Sequence, residues 1–182
     1  MQADSDYSSI LSLFPLQTVL FPGNKLPLRI FEPRYVDLVG RCMREQQTFG
    51  IVGIKSGQEA GPLPEIYSIG TEVSIIDFDQ GNDGLLNIVV QGQNRFTINS
   101  TRTRDDNLLT AVVTPLPELE SPDSPPEWPQ LDNVFGQLSQ HPELADKIGL
   151  AETPIQKAYE VLAWLPLANA HKVELLGAED AT

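Results

Sequence analysis

The sequence predicts an α+β fold with a β-rich lobe over residues 1–115 and a small helical lobe over residues 130–182. In the first part, apolar residues alternate or form short runs, which is typical of strands; after residue 129 they recur with the period of a helix. Residues 116–129 between them are rich in proline, which lacks a backbone N–H and has a fixed φ. We therefore expect this stretch to be a linker between two structural units.

Short strands separated by turn residues account for the β-rich lobe. They are, in chain order, apolar runs at 10–14 and 49–54, a hairpin that joins 71–76 to 85–91, and a hairpin that joins 95–104 to 108–114. Turn residues occupy 77–84, with the hairpin turn centred on 81–84, and 105–107. Several short strands of this kind predict a small antiparallel barrel or sandwich.

One helix, over residues 33–47, is expected to interrupt the strands. Its apolar residues recur at helical spacing, and they are Tyr35, Leu38, Val39, Cys42 and Met43. Pro33 suits the first helical turn. Because Cys42 belongs to the apolar stripe, we expect its thiol to be buried rather than reactive.

Three short helices are predicted after the linker. The first covers 131–138 and stops at His141-Pro142. Thr153 and Pro154 provide an N-cap and a first-turn proline for the second, which stops at Pro166. One face of this second helix is apolar and consists of Ile155, Ala158, Tyr159 and Leu162. The third covers 169–176 and ends at Gly177.

The charge of the chain argues against two classes of partner. With 12 basic and 25 acidic residues its formal net charge is −13, which repels nucleic acid backbones and anionic membrane surfaces. No apolar run is long enough to span a bilayer, and the first residues lack the apolar core of a signal peptide. We therefore expect a cytoplasmic protein with neither nucleic acid nor membrane as a partner.

The sequence lacks the common motifs that indicate catalysis or cofactor binding. It has no phosphate loop, nucleophile elbow, HExxH helix or dinucleotide fingerprint. One cysteine and two histidines make a zinc site improbable. The aspartates of the segment 77–84 are better explained by turn chemistry than by a calcium loop, since Gly81 stands where a ligand is required. We expect no catalytic residue, no cofactor and no bound metal.

The densest group of basic residues is Arg95, Arg102 and Arg104. Arg95 followed by Phe96 is compatible with an RNA-stacking strand, so an RNA-binding module is the alternative function. An internal ion pair for Arg95 and solvated edge charges for the other two is the competing interpretation.

Two neighbouring motifs of the β-rich lobe are distinctive. They are LFPLQTVLFPG at 13–23 and LPLRIFEPRY at 26–35, and related motifs follow at 49–52, 69–75, 83–86 and 92–96. Together they resemble the N-terminal, substrate-binding domain of Lon proteases, and more specifically the short proteins that consist of this domain without the ATPase and protease domains. The resemblance covers about residues 10–115 and extends more loosely to 163–167 and 172–176.

The resemblance implies a PUA-like β-barrel with one inserted helix, followed by a helical bundle. It further implies a non-catalytic module that binds unfolded or extended polypeptide without nucleotide, with a protease or chaperone as a further partner. An enzyme of unknown type is the third hypothesis, and paired carboxylates in an apolar pocket would support it. We expect an apolar groove or a free strand edge at the seam between the lobes.

The residues singled out as structural or binding residues belong to these motifs. They are Phe21, Pro22, Phe31, Glu32, Arg34, Tyr35, Arg95 and Phe96. Core and turn requirements explain most of them. Arg95 is the expected ion-pair partner of Glu32.

Overall fold

The computed structural model describes residues 8–119, 129–140 and 153–179. Within these ranges the chain forms a mixed α+β fold. Its elements are β1 (Ser9–Leu16), β2 (Lys25–Ile30), α1 (Pro33–Glu45), β3 (Phe49–Ser56), β4 (Glu65–Gln80), β5 (Leu86–Thr103), β6 (Leu109–Pro115), α2 (Pro129–Ser139), α3 (Pro154–Trp164) and α4 (Asn169–Leu176).

The strands form one sheet that closes on itself. Its order is β2-β5-β4-β3-β1-β6, and β6 also pairs with β5. Among the strand pairs of the described residues, β1 with β3 is the parallel one and the others are antiparallel. The α+β class is confirmed, but the ring is not a regular barrel. β5 shares one edge between two partners, with β2 along its first half and β6 along its second.

Both predicted hairpins are present, with longer strands than the sequence indicated. The expected strands 85–91 and 95–104 are one strand, β5, which continues through an irregularity opposite β4 between Gly92 and Arg95. β4 reaches Gln80, so residues that were expected in a turn are paired strand residues. β2 was not predicted as a strand, because Pro27 interrupts its apolar run. Proline is tolerated there since β2 pairs on one side only.

The main core lies between the sheet and α1. The buried side of α1 comprises Arg34, Tyr35, Leu38, Val39 and Cys42. Tyr35 stacks on Phe14 of β1, with 3.9 Å between ring centroids. The predicted burial of Cys42 is confirmed, and burial raises the pKa of its thiol.

The helices after residue 129 begin and end close to the predicted positions. Thr153 caps α3 as expected: its hydroxyl accepts from the backbone N–H of Gln156, whose side chain accepts from the backbone N–H of Thr153. α4 ends beside Gly177, and His171 is exposed on it. His141-Pro142 and residues 120–128 of the expected linker lie outside the described residues.

A second apolar cluster joins the sheet to α3 and α4. Its buried members are Val19, Phe21, Tyr159, Val173 and Leu176. Phe21 stacks on Tyr159 at 5.4 Å between centroids. Because this cluster is shared, α3 and α4 pack directly onto the strand lobe, by which we mean the described chain up to Pro115.

Candidate functional site

A cavity of about 490 Å³ lies at the seam where the strand lobe meets α3. We call it the seam cleft. Its sides are the turn at Pro22 and Gly23, the segment from Leu116 to Leu119, and the start of α3 at Thr153. Its lining is mixed rather than apolar: Ile155 and Leu119 alternate with glutamine, asparagine and glutamate side chains.

Part of the cleft lining is an interruption in strand pairing. β2 pairs with β5 as far as Gln91, and β6 begins to pair at Phe96. Gln93 and Asn94 lie between these points and pair with neither β2 nor β6. Their side chains donate to β4 instead, from Gln93 Nε2 to Ser74 Oγ (3.1 Å) and from Asn94 Nδ2 to Glu72 Oε2 (3.4 Å). The seam cleft therefore meets a gap in one edge of β5.

Arg95 borders the cleft, and its guanidinium ties three segments together. It donates to the backbone carbonyls of Leu176 (2.8 Å), Ala178 (2.7 Å) and Pro117 (2.5 Å). Only 4% of the residue is exposed. The predicted ion pair with Glu32 is wrong, because the guanidinium points to the end of α4 and to the chain after β6. Carbonyl oxygens, rather than a carboxylate, balance this buried cation.

Glu32 pairs instead with Arg34, two residues along the chain, at 2.8 Å. Arg34 also donates to the backbone carbonyls of Gly61 and Asn107, and so holds two loops beside the start of α1. Its guanidinium lies 4.8 Å from the centroid of the Tyr35 ring. Burial raises the pKa of Tyr35 to about 12, and the positive charge of Arg34 opposes that rise. Through these contacts Glu32, Arg34 and Tyr35 stabilise the start of α1 and the two loops beside it, which is a structural role.

The remaining candidate residues differ in exposure. Phe96 is 2% exposed, and its ring lies against Gly50 and Gly70, where a Cβ would approach it to within 2.7 and 2.6 Å. Phe21 is buried in the cluster with Tyr159, whereas Phe31 is 60% exposed. The predicted residues thus do not form one site, and only Pro22 and Arg95 line the seam cleft.

Sequence reasoning missed most of the residues that line the cleft. Ile155 and Tyr159 were recognised as an apolar face of α3, but that pattern does not indicate what the face contacts. Gln93 and Asn94 belong to the motif at 92–96, but that motif did not indicate an interruption of strand pairing, because a strand irregularity depends on the registers of β2, β4 and β6 together.

Two further findings concern metal ions and membranes. Within residues 8–119, 129–140 and 153–179, no group of three or more His, Cys, Asp or Glu side chains is arranged to hold a metal ion. None of the helices in that part of the chain is long and apolar enough to cross a membrane.

Comparison with known proteins places this fold in a family. Residues 10–182 match the family model described as the ATP-dependent protease La (LON) substrate-binding domain. The crystal structure of a Lon N-terminal domain protein from Xanthomonas campestris has a TM-score of 0.75 and 34% identity, and the match covers 94% of this chain and 92% of that one. The N-terminal domain of a Lon protease of the Mycobacterium avium complex shares the fold at 18% identity, with a TM-score of 0.59 and coverage of 93% and 90%.

Longer relatives match over part of their length. The Lon protease of Anaeromyxobacter dehalogenans is 25% identical over 93% of this chain and 23% of its own length. Protein cereblon of Gallus gallus is 24% identical over 95% of this chain and 51% of its own length. The chain thus spans about a quarter of that protease and about half of cereblon. From the family match and the shared fold, the chain belongs to the Lon substrate-binding domain family.

Proposed function

We propose that the chain is a non-catalytic module that binds extended or unfolded polypeptide segments in the seam cleft without nucleotide. The family to which the chain belongs is described as a substrate-binding domain. Because some of its relatives are named as proteases, protein is the natural class of substrate. The observation that supports the location is the unpaired stretch of β5 at Gln93 and Asn94, bordered by the apolar side chains of Ile155 and Leu119. A strand edge offers backbone hydrogen bonds, and adjacent apolar surface offers contact for side chains.

The size and lining of the cleft suit a short segment held with modest affinity. Its volume of about 490 Å³ falls within the roughly 300–1,000 Å³ of typical ligand pockets. A flexible segment loses entropy when it is ordered, so we expect dissociation constants on the order of micromolar. The net charge of −13 favours basic over acidic peptides.

The biological setting belongs to the same proposal. We place the protein in the cytoplasm, in protein quality control, with a protease or chaperone as its partner. The division into a strand lobe over 1–115, a linker over 116–129 and a helical lobe over 130–182 remains a prediction. Because Phe21 and Leu176 share one apolar cluster, we expect the strand lobe to lose stability when residues 130–182 are removed.

The test is fluorescence anisotropy with labelled unfolded peptides, without ATP and at two salt concentrations. Ile155→Glu introduces a charge into the cleft and should weaken binding about ten-fold or more. Ile10→Glu is the matched control, because Ile10 is 75% exposed and does not line the cleft. Absence of saturable binding up to about millimolar peptide would contradict the proposal.

RNA binding stays the alternative, but the pair of residues that suggested it is unsuited to that role. Arg95 and Phe96 are both buried, so neither presents a surface on which a base could stack. The same titration with single-stranded RNA tests it. Tight binding at low salt that falls steeply as salt is added would favour RNA over polypeptide.

A further inference from the structure

On the side opposite to β5, no strand of the described residues pairs with the second half of β4. β3 pairs with β4 only as far as the partners Phe49 and Val73, whereas β4 continues to Gln80. From Ser74 to Gln80, β5 is therefore the strand neighbour that the described chain provides. We call this stretch the β4 edge. Unpaired strand edges are templates for the addition of a further strand.

One backbone N–H of the β4 edge is bonded to a side chain, which the carbonyl of an added strand could replace. The N–H of Gly81 donates to the carbonyl of Leu85 on the β5 side, at 2.8 Å. In an antiparallel ladder alternate residues point their backbone groups to opposite sides, so Phe78 and Gln80 face the open edge. There the N–H of Phe78 donates to the carboxylate of Asp77, at 2.9 Å. The Asp77 side chain thus occupies a donor that an added strand would use.

The two faces of the β4 edge differ in chemistry. Phe78 is in register with the buried Ile88 and so lies on the inner face, yet it is 60% exposed. A cavity of about 350 Å³ lies there, between Phe78 and Met43 of α1. Asp77 and Asp79 lie on the outer face, where another hollow of about 270 Å³ reaches Arg29.

The outer face of the β4 edge carries two carboxylates, those of Asp77 and Asp79. Arg29 pairs with Asp83 in the β4–β5 turn, and among the described residues neither Asp77 nor Asp79 has an ion-pair partner. Residues directly opposite each other on neighbouring strands share a face and interact. An added strand would therefore present one set of side chains to these two aspartates and the intervening set to Phe78.

A second copy of this chain is a poor occupant. Antiparallel pairing of two such edges brings the aspartates of one copy close to those of the other, and like charges on paired strands are destabilising. A segment with basic residues is complementary instead. A lysine or arginine opposite Asp77 would also draw its carboxylate away from the N–H of Phe78 and release that donor to the new strand.

We infer that the β4 edge binds an extended polypeptide segment as an added strand, with Lys or Arg at alternate positions against Asp77 and Asp79 and an apolar residue between them against Phe78. This site is separate from the seam cleft, since no residue from Ser74 to Gln80 lines that cavity. The inference does not require that the cleft bind peptide.

The probe is a labelled seven-residue peptide in which Lys alternates with Ile or Val, measured by anisotropy on the complete chain. Phe78→Ser should weaken binding at least five-fold, whereas Phe31→Ser is the matched control, because Phe31 is equally exposed and lies outside both cavities. Asp79→Lys should weaken binding by up to about five-fold and Asp105→Lys should not. The peptide with Glu in place of Lys should show the opposite response to Asp79→Lys.

Backbone pairing and location are tested separately. Amide hydrogen exchange should slow between Ser74 and Gln80 when the peptide binds, and N-methylation of alternate peptide amides should abolish binding. Peptide binding that is lost in Ile155→Glu but kept in Phe78→Ser would overturn the inference in favour of the seam cleft. Absence of binding, or a dimer in sedimentation that Phe78→Ser dissociates, would also overturn it.

Discussion

Replacing Arg95 with methionine should remove the main polar link between the strand lobe and the end of α4. The side chain is almost completely buried and donates to three backbone carbonyls, of Pro117, Leu176 and Ala178. Methionine keeps an unbranched apolar stem that reaches about as far as Nε of arginine, so the packing of the stem is kept while the guanidinium is lost. The change therefore removes the three hydrogen bonds together with the buried charge.

The magnitude follows from the environment of each carbonyl. The bond to Leu176 is buried, and a buried acceptor left without a donor costs about 1–3 kcal/mol. The bonds to Pro117 and Ala178 are partly buried, so water replaces them in part, and together they contribute about 2 kcal/mol. We expect the free energy of unfolding to fall by about 4 kcal/mol, equivalent to a decrease in Tm of about 8–16 °C for a domain of this size.

The measurement is urea unfolding followed by circular dichroism, with Arg29→Met as the control. Arg29 is an exposed arginine whose surface pair with Asp83 should be worth less than about 1 kcal/mol. Arg95→Lys should fall between wild type and Arg95→Met, because an ammonium cannot span three carbonyls as a guanidinium does. If Arg95→Met costs no more than Arg29→Met, the assigned role of Arg95 is refuted.

Three further predictions concern the core. Because the pKa of Tyr35 is raised to about 12, its contribution to stability is complete below pH 10 and is lost as the pH rises through 12; Tyr35→Phe should flatten this dependence in unfolding measured between pH 9 and 12. Leu38→Ala should lower the free energy of unfolding by about 2–5 kcal/mol in urea titrations, and a loss below about 0.5 kcal/mol would mean that α1 does not pack as described. Gly70→Ala should destabilise the fold in the same assay, because its Cβ would lie 2.6 Å from the carbonyl oxygen of Ile51 and from Phe96; an unchanged midpoint would show that the sheet yields there.

Features that depend on nearby residues were predictable from the sequence. The α1 stripe, the Thr153 cap and both hairpins follow from spacing and turn residues within about fifteen positions of the chain. β2 was missed because Pro27 is a strand breaker in general, and only the topology shows that, among the described strands, β2 pairs with β5 alone. Spacing and turn residues also failed to predict that β5 is one continuous strand, because its two halves pair with different strands, β2 and β6.

The candidate site was less predictable because it depends on distant backbone groups. Arg95 was given a carboxylate partner, since side-chain charges are visible in a sequence. Its real partners include backbone carbonyls more than 80 positions away. Every residue has a backbone carbonyl, so no residue type in the sequence indicates which one will accept the bond. The pairing of Glu32 with Arg34 depends on the bend at the start of α1, which fixes the direction of both side chains.

The pairing of β1 with β6 has a consequence for synthesis of the protein. Ser9 pairs with Val113 and Leu13 with Leu109, so the ring of strands closes only after roughly a hundred further residues have been made. At about 5–20 residues per second, a nascent chain leaves the apolar residues of β1 without this partner for several seconds. Contacts between distant residues also slow folding after release. The nascent chain is therefore itself expected to be a chaperone client before its fold is complete.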